Sequence, residues 1–397
     1  MNVHRSAWMK NQNFMEGILM KMYPGLCLFI VTVFSLPQLA AAANQDEEAP
    51  AAGASQDEEA ATAEAFKLFR NEPAGMTVRG WMAVGNGGLP DHHVLNNLDP
   101  TNTGLNQLGI SMDKPGEKYR LHLDLLYGRD AVAFRSAENA GNGWDNSAGF
   151  VHDDHAWALP QAFAEASVGD LTVRGGHFLM TSHSGLYSTD RFFATRTTSE
   201  FSIEPYTLSG VVVDGKLGQM DTTVGWVAGT NTGFDSMTAA GSSTFVLGLG
   251  RSIGDNWSVR YDALVGDVGF RNAFADGRGV EANSYYHALT ARCAASDKLT
   301  VEVTHVYQNL KSDNIDTSVV RQAAFYVLSD SLTLGQRYER YSSQFDGANL
   351  GTESASVGLN YRNASWSNVL LRPEIRWEQD GLGSSRTDFY MDVVVTF

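Results

Sequence analysis

Counting back from Phe397, apolar side chains fall on every second residue, at Val395, Val393, Met391 and Phe389. Successive residues of a strand point to opposite faces, so this stripe is one face of a strand that ends on a bare aromatic. Closing strands of membrane β-barrels end in this way because one face meets lipid. From Met76 onward the same alternation recurs in segments of about ten residues, separated by polar turns and loops. Sixteen segments are predicted, near 76–86, 105–112, 118–128, 159–168, 171–179, 205–216, 219–229, 243–253, 256–266, 282–293, 298–309, 317–328, 331–342, 350–362, 366–379 and 387–397. Seven tight connections, such as Gly169-Asp170, Gly254-Asp255 and Asn363-Ala364, alternate with eight longer ones. That parity suits an even-stranded antiparallel barrel with both ends, and all the short turns, on the periplasmic side.

Individual segments carry the pattern well. Tyr119, Leu121, Leu123, Leu125 and Tyr127 share one face, opposite Arg120, His122 and Asp124. Eight steps of ~3.3 Å separate the two tyrosines by ~26 Å along the strand, or roughly 20 Å of height after a tilt of about 40°, close to the apolar band between aromatic girdles. Trp257, Val259, Tyr261, Ala263 and Val265 oppose Arg260 and Asp262 in the same way, and Val369, Leu371, Pro373, Ile375 and Trp377 oppose Arg372, Glu374 and Arg376. Pro373 has no N–H to give a ladder, so a bulge or missing bond is expected there. Segments 243–253 and 317–328 alternate poorly, which leaves their facing open by one residue. A soluble sandwich would alternate too, but it would not explain the aromatic bracketing, the strand parity and the terminal aromatic together.

The N-terminal region reads as an export signal: Lys10 and Lys21 precede the apolar run Leu26 to Leu36, and Ala40 to Ala43 suit cleavage before Asn44. Residues 1–43 are therefore expected to be removed. Residues 44–75 are Ala-rich and acidic, with Gln-Asp-Glu-Glu-Ala at 45–49 and again at 56–60, and are expected to form a periplasmic tail. The barrel is expected to occupy 76–397. Apart from the signal, no stretch reaches the roughly 18 apolar residues that a spanning helix requires. Of 29 basic and 45 acidic residues, removing Arg5, Lys10, Lys21 and Glu16 leaves 26 and 44, a net of −18. Nucleic acid is thereby disfavoured as a partner. Of the two cysteines, Cys27 lies in the signal, so Cys293 has no partner for an intrachain disulfide.

If the apolar faces meet lipid, the opposite faces line the interior. Arg120, His122, Asp124, Arg174, Arg260, Asp262, Arg337, Glu339, Arg372, Glu374 and Arg376 belong to this luminal set, with Arg79, Glu165, Glu302 and Asp392. So many charges of both signs argue for a water-filled interior, with arginine–carboxylate pairs knitting part of the wall. In the third long loop, Asp190, Arg191, Arg196, Glu200 and Glu204 set opposite charges close together and are candidates for a constriction with a transverse field. His152-Asp153-Asp154-His155 and His92-His93 offer metal-ligand chemistry, but on loops without fixed geometry, and a solvated reading is preferred. Ser182-His183 lacks any strained elbow or third partner for hydrolysis. No cofactor and no metal site is expected.

The segments Leu159-Pro160-Gln161-Ala162-Phe163-Ala164-Glu165, Gly169-Asp170-Leu171-Thr172-Val173-Arg174-Gly175-Gly176-His177-Phe178 and Glu204-Pro205-Tyr206-Thr207-Leu208-Ser209-Gly210-Val211 resemble the β-barrel porin-2 family of OmpL-like outer-membrane porins. Leu105 to Leu108 and Leu123 to Gly128 share the likeness, which spans nearly all of 76–397. After Gly176 the chain departs from the family, with His177 where lysine is common and Ser182 to Tyr187 in place of the usual Pro and Gly-x-Glu. The resemblance implies an outer-membrane, porin-like barrel and brings no catalytic residues. The function expected is passive diffusion of small hydrophilic solutes or ions. The alternatives are a plugged barrel presenting its extracellular loops to partners and, more weakly, a barrel-embedded hydrolase. Outer-membrane lipid and the barrel-assembly machinery, engaged through the strand ending at Phe397, are the expected partners, and a homo-oligomer is left open.

Overall fold

The computed structural model describes residues 75–86, 103–131, 155–180, 185–230, 243–268, 281–311, 314–345 and 348–397. The expected export signal and all but the last residue of the acidic tail lie outside the described residues, as do His92-His93, His152-Asp153-Asp154 and Ser182-His183. The described residues form sixteen strands: β1 Thr77–Gly85, β2 Gly104–Pro115, β3 Tyr119–Gly128, β4 Ala156–Val168, β5 Leu171–Leu179, β6 Thr207–Leu217, β7 Met220–Thr230 and β8 Thr244–Ile253. They continue as β9 Trp257–Val268, β10 Glu281–Ala294, β11 Leu299–Leu310, β12 Ile315–Ser329, β13 Leu332–Phe345, β14 Ala348–Asn363, β15 Trp366–Asp380 and β16 Ser385–Thr396. A short helix, α1 (Thr198–Ser202), lies between β5 and β6. Every strand pairs antiparallel with its sequence neighbours, and β1 pairs with β16, so the sheet has no free edge.

The seam is closed by the terminal stripe. Trp81 to Gly85 pair with Thr396 to Asp392, and Gly80 and Phe397 exchange backbone hydrogen bonds of 2.7 and 2.9 Å. Phe389, Met391, Val393, Val395 and Phe397 all face outward, as the alternation predicts, while Tyr390, Asp392 and Val394 are buried inside. The lipid-facing belt holds exposed Val211, Trp226, Val265 and Ile375, a surface that water would penalise and acyl chains accept. Tyr119 and Trp257 stand near its periplasmic edge; Tyr127, Trp157 and Trp226 stand near the other.

Three differences from the sequence expectation have physical causes. The connections after β11, β13 and β15 are short, at 311–314, 346–347 and 381–384, so the eight connections on that side are not uniformly long. There the strands continue past the apolar belt, where outward polar residues keep the ladder wetted: Tyr307 and Asn309 both donate to Asp316 on the neighbouring strand, at 2.5 and 2.6 Å. The poor alternation of β8 and β12 arises because Val246 and Val319 face inward into a buried apolar cluster. At Pro373 the expected gap is present: the β14–β15 register runs to Gly358↔Glu374 and resumes only at Tyr361↔Leu371.

Candidate functional site

The described part of the loop between β5 and β6 (the 180–206 loop), residues 180 and 185–206, lies inside the barrel. It leaves the wall at Met180, whose N–H donates to Tyr206 O, and its described part reaches side chains of β2, β3, β12, β13 and β15. In a ring of sixteen strands β13 stands eight places from β5, on the opposite side. The loop therefore crosses the lumen. Its deepest side chains, Phe192 and Phe193, pack with Phe325 near the periplasmic end of β12. Gly335 and Gly358 leave the space they occupy: a Cβ on Gly335 would collide with the Phe192 ring, and one on Gly358 would stand 3.1 Å from Phe193. The Arg337 guanidinium covers Phe193 at 4.3 Å, a contact that offsets part of its desolvation.

Two wall carboxylates grip the loop backbone. Glu374 accepts from the N–H and hydroxyl of Thr195, both at 2.8 Å, and Glu339 accepts from the N–H and hydroxyl of Ser199, at 3.1 and 2.5 Å. Arg372 and Arg376 take the opposite role. Arg372 donates to Ser188 O and Arg191 O at 2.7 and 2.6 Å, and Arg376 to Arg196 O at 2.6 Å. Thr197 caps α1 reciprocally with Glu200, a capping box spelled Thr-x-x-Glu. On the near wall, Gln107 accepts from Trp81 and from the Ser188 N–H, and Tyr187 donates to Asp124 at 2.6 Å.

The five loop charges singled out from sequence therefore differ in kind. Arg191 and Arg196 are buried and turn to the fully buried Asp130, at 3.7 and 3.0 Å. Burial and the neighbouring Arg196 lower the Arg191 pKa to about 9. Glu204 is buried against Arg321, at 2.8 Å; burial outweighs that attraction and raises its carboxyl. For Glu200, burial is opposed by Arg321, Arg337 and the Thr197 N–H, which together hold it at about 2. Asp190 is exposed and accepts from the Thr189 hydroxyl. Opposite charges thus meet mainly across the loop-to-wall contact rather than across open space.

The predicted luminal residues all face inward, yet many are dry. Arg372 pairs with Asp392, Arg337 with Glu374 and Arg376 with Glu378, and all six are buried. An interior uniformly filled with water is thus not what the wall displays, because ion pairing and the loop satisfy these charges together. Apolar Leu264, Tyr286, Val306 and Val319 add a buried patch on β9 to β12. Wetter pairs lie towards the periplasmic ends of β2 to β9: Arg120 with Asp113 and Glu165, Arg174 with Glu165 and Asp214, Arg260 with Asp262. A luminal pocket of ≈ 260 Å³ opens there beside Asp221, Gly250, Arg260, Arg292 and Glu302. Sequence reasoning missed Asp130, Gln107 and Arg321, which hold the loop; only the capping box gave a local signal for its helix. Among the described residues no group of three metal-binding side chains occurs.

A family model described as "Putative beta-barrel porin-2, OmpL-like" matches residues 76–397. No curated protein matches the chain. Among solved structures, a loop-deletion form of OmpT, an outer-membrane protein of Vibrio cholerae, is similar at a TM-score of 0.52 and 13% identity, covering 81% of this chain and 99% of that one. The outer-membrane channel DcaP of Acinetobacter baumannii is similar at a TM-score of 0.52 and 13% identity, covering 82% and 98%. At such identities the likeness shows a shared barrel fold.

Proposed function

Because the chain belongs to the β-barrel porin-2, OmpL-like family of outer-membrane porin-like channels, we propose that solutes pass beside the 180–206 loop and that this loop sets the width and charge of the path. The observation that carries the reading is the crossing of the lumen by a loop bonded to the wall opposite its own strands. Small hydrophilic solutes and ions fit a path bordered by Asp190, Glu200 and the charge pairs of the periplasmic half, whereas bulky or apolar solutes do not. Of the loop charges, Asp190 and Glu200 retain contact with water, so they are the ones to act on passing ions. Membership in a porin family also favours a role without hydrolytic chemistry.

Planar-bilayer recording of the refolded mature protein tests this. Discrete current steps, with selectivity moving toward anions in an Asp190→Asn, Glu200→Gln variant, are expected. A correctly folded barrel that stays silent would instead favour a plugged barrel presenting its loops, a reading that the extensive bonding of the loop to the wall also supports. The barrel-assembly machinery is the proposed partner of the β16 strand, and self-association is left to sizing in detergent.

A further inference from the structure

His122 lies on the inner wall of β3 with a carboxylate beside each ring nitrogen. Nδ1 is 2.9 Å from Asp113 Oδ2, and Nε2 is 3.0 Å from Asp124 Oδ1. A neutral imidazole has one N–H and one lone pair. With its single proton on Nδ1, the ring would turn a bare Nε2 toward Asp124 Oδ1, relieved only by the Gln161 amide at 3.3 Å; with both protons it faces each carboxylate with an N–H. Local charge agrees. Asp113, Asp124 and Glu165 supply three negative charges, and Arg120 and Arg174 supply two positive ones. Arg120 approaches Nδ1 at 3.5 Å and opposes a charge there, but its guanidinium is committed to Asp113 through three contacts. Phe163 stacks on the ring at 4.8 Å.

The carboxylate that His122 serves is the one that receives the crossing loop. Asp124 is buried and accepts from Tyr187 and from Gln161, both at 2.6 Å. Gln161 also stands 3.3 Å from His122 Nε2, and its carbonyl accepts from the N–H of Leu179, at the start of the loop. We propose that His122 is a proton-dependent positioning residue for the 180–206 loop: doubly protonated, it holds Asp124 ready for Tyr187, and on losing one proton it releases that end of the loop. With a bare Nε2, Asp124 loses its cation and the Gln161 amide gains a competing acceptor 3.3 Å away. Both changes weaken the site where Tyr187 docks. Arg191, Arg196, Glu374 and Glu339 hold the rest of the loop, so the expected response is loosening of residues 185–190 rather than ejection.

The docking part of this inference stands on the geometry alone; only its effect on current rests on the channel reading. The test is amide hydrogen exchange of loop peptides in the refolded protein, from pH 5 to 10, with His122→Arg and His122→Gln each compared with wild type at the same pH. His122→Arg keeps a permanent cation and His122→Gln removes it. Relative to His122→Arg, the wild-type peptide covering 185–190 is expected to exchange roughly tenfold faster at the high-pH end, the consequence of losing one charge-assisted contact, and as slowly at the low-pH end. The ratio of the two variants should not change with pH. A wild-type loop that tracks His122→Arg at every pH would overturn the proposal, as would a pH-dependent ratio between the variants. Wild-type titration needs no variant to fold, and strand content of each variant is checked by circular dichroism. Exchange that titrates as described in a barrel that never conducts would uphold this inference while removing the channel reading.

Discussion

Arg372 offers the sharpest test of how the lumen is held together. It is 0% exposed and donates through Nε and Nη2 to Asp392, at 2.8 and 2.5 Å, while Nη1 serves two loop carbonyls. Arg372 and Asp392 are direct cross-strand partners on β15 and β16, one strand from the closing seam. Arg372→Met leaves the Asp392 carboxylate buried with no guanidinium, a loss of about 3–5 kcal/mol. The Ser188 and Arg191 carbonyls also lose their donor, which adds about 1–3 kcal/mol to the extent that water does not replace it. A total of about 4–8 kcal/mol is expected in urea unfolding of the barrel reconstituted in lipid. Asp392→Leu alone should cost about 3–5 kcal/mol for the mirror reason. The double change Arg372→Met, Asp392→Leu removes both charges and fills the same space with apolar atoms, so it should recover about 3 kcal/mol or more relative to the sum of the single costs. If the double variant loses the sum of the single losses to within about 0.5 kcal/mol, the two groups are independent. The claim that paired charge rather than water fills this part of the interior would then be refuted.

Two further outcomes follow from the same structure. Ile375 is 56% exposed on the outer face of β15, so Ile375→Arg should cost about 2–4 kcal/mol in a lipid-reconstituted barrel, whereas an equally exposed site in water would tolerate it within about 0.5 kcal/mol; urea unfolding in lipid distinguishes them. Glu200, held at about 2 against an ordinary value of ~4.5, favours the folded protein when ionised, so its contribution is fully present above pH ~4.5 and is lost as pH falls toward 2. Urea midpoints measured between pH 5 and 2.5 should fall less steeply for Glu200→Gln than for wild type, and parallel curves would show that Arg321 and Arg337 do not act through Glu200.

The outer face of this barrel was legible because lipid imposes one rule on every strand. A residue such as Val393 or Ile375 must be apolar wherever it meets acyl chains, so the period-2 stripe survives in nearly every segment and fixes strand number, order and facing. The inner face answers to no such uniform solvent. Val246, Val319 and Phe325 point inward because they pack against other buried groups, and Gly335 and Gly358 are bare because Phe192 and Phe193 fill the space above them. For Phe325, Gly335 and Gly358 that partner is a segment more than a hundred residues away, and no local pattern reports it. The crossing loop was legible in part. Its charge content marked it, and Thr197-x-x-Glu200 encodes a helix start within the loop itself. What its charges face was not legible, since Arg191 and Asp190, adjacent in sequence, end in buried wall and in water respectively. Asp130, which belongs to another loop, is the carboxylate both arginines turn to, while the Ser188 hydroxyl and Leu186 O also accept from Arg191 and Arg196 respectively. The sign of charge along such a path is thus a property of the loop together with its wall.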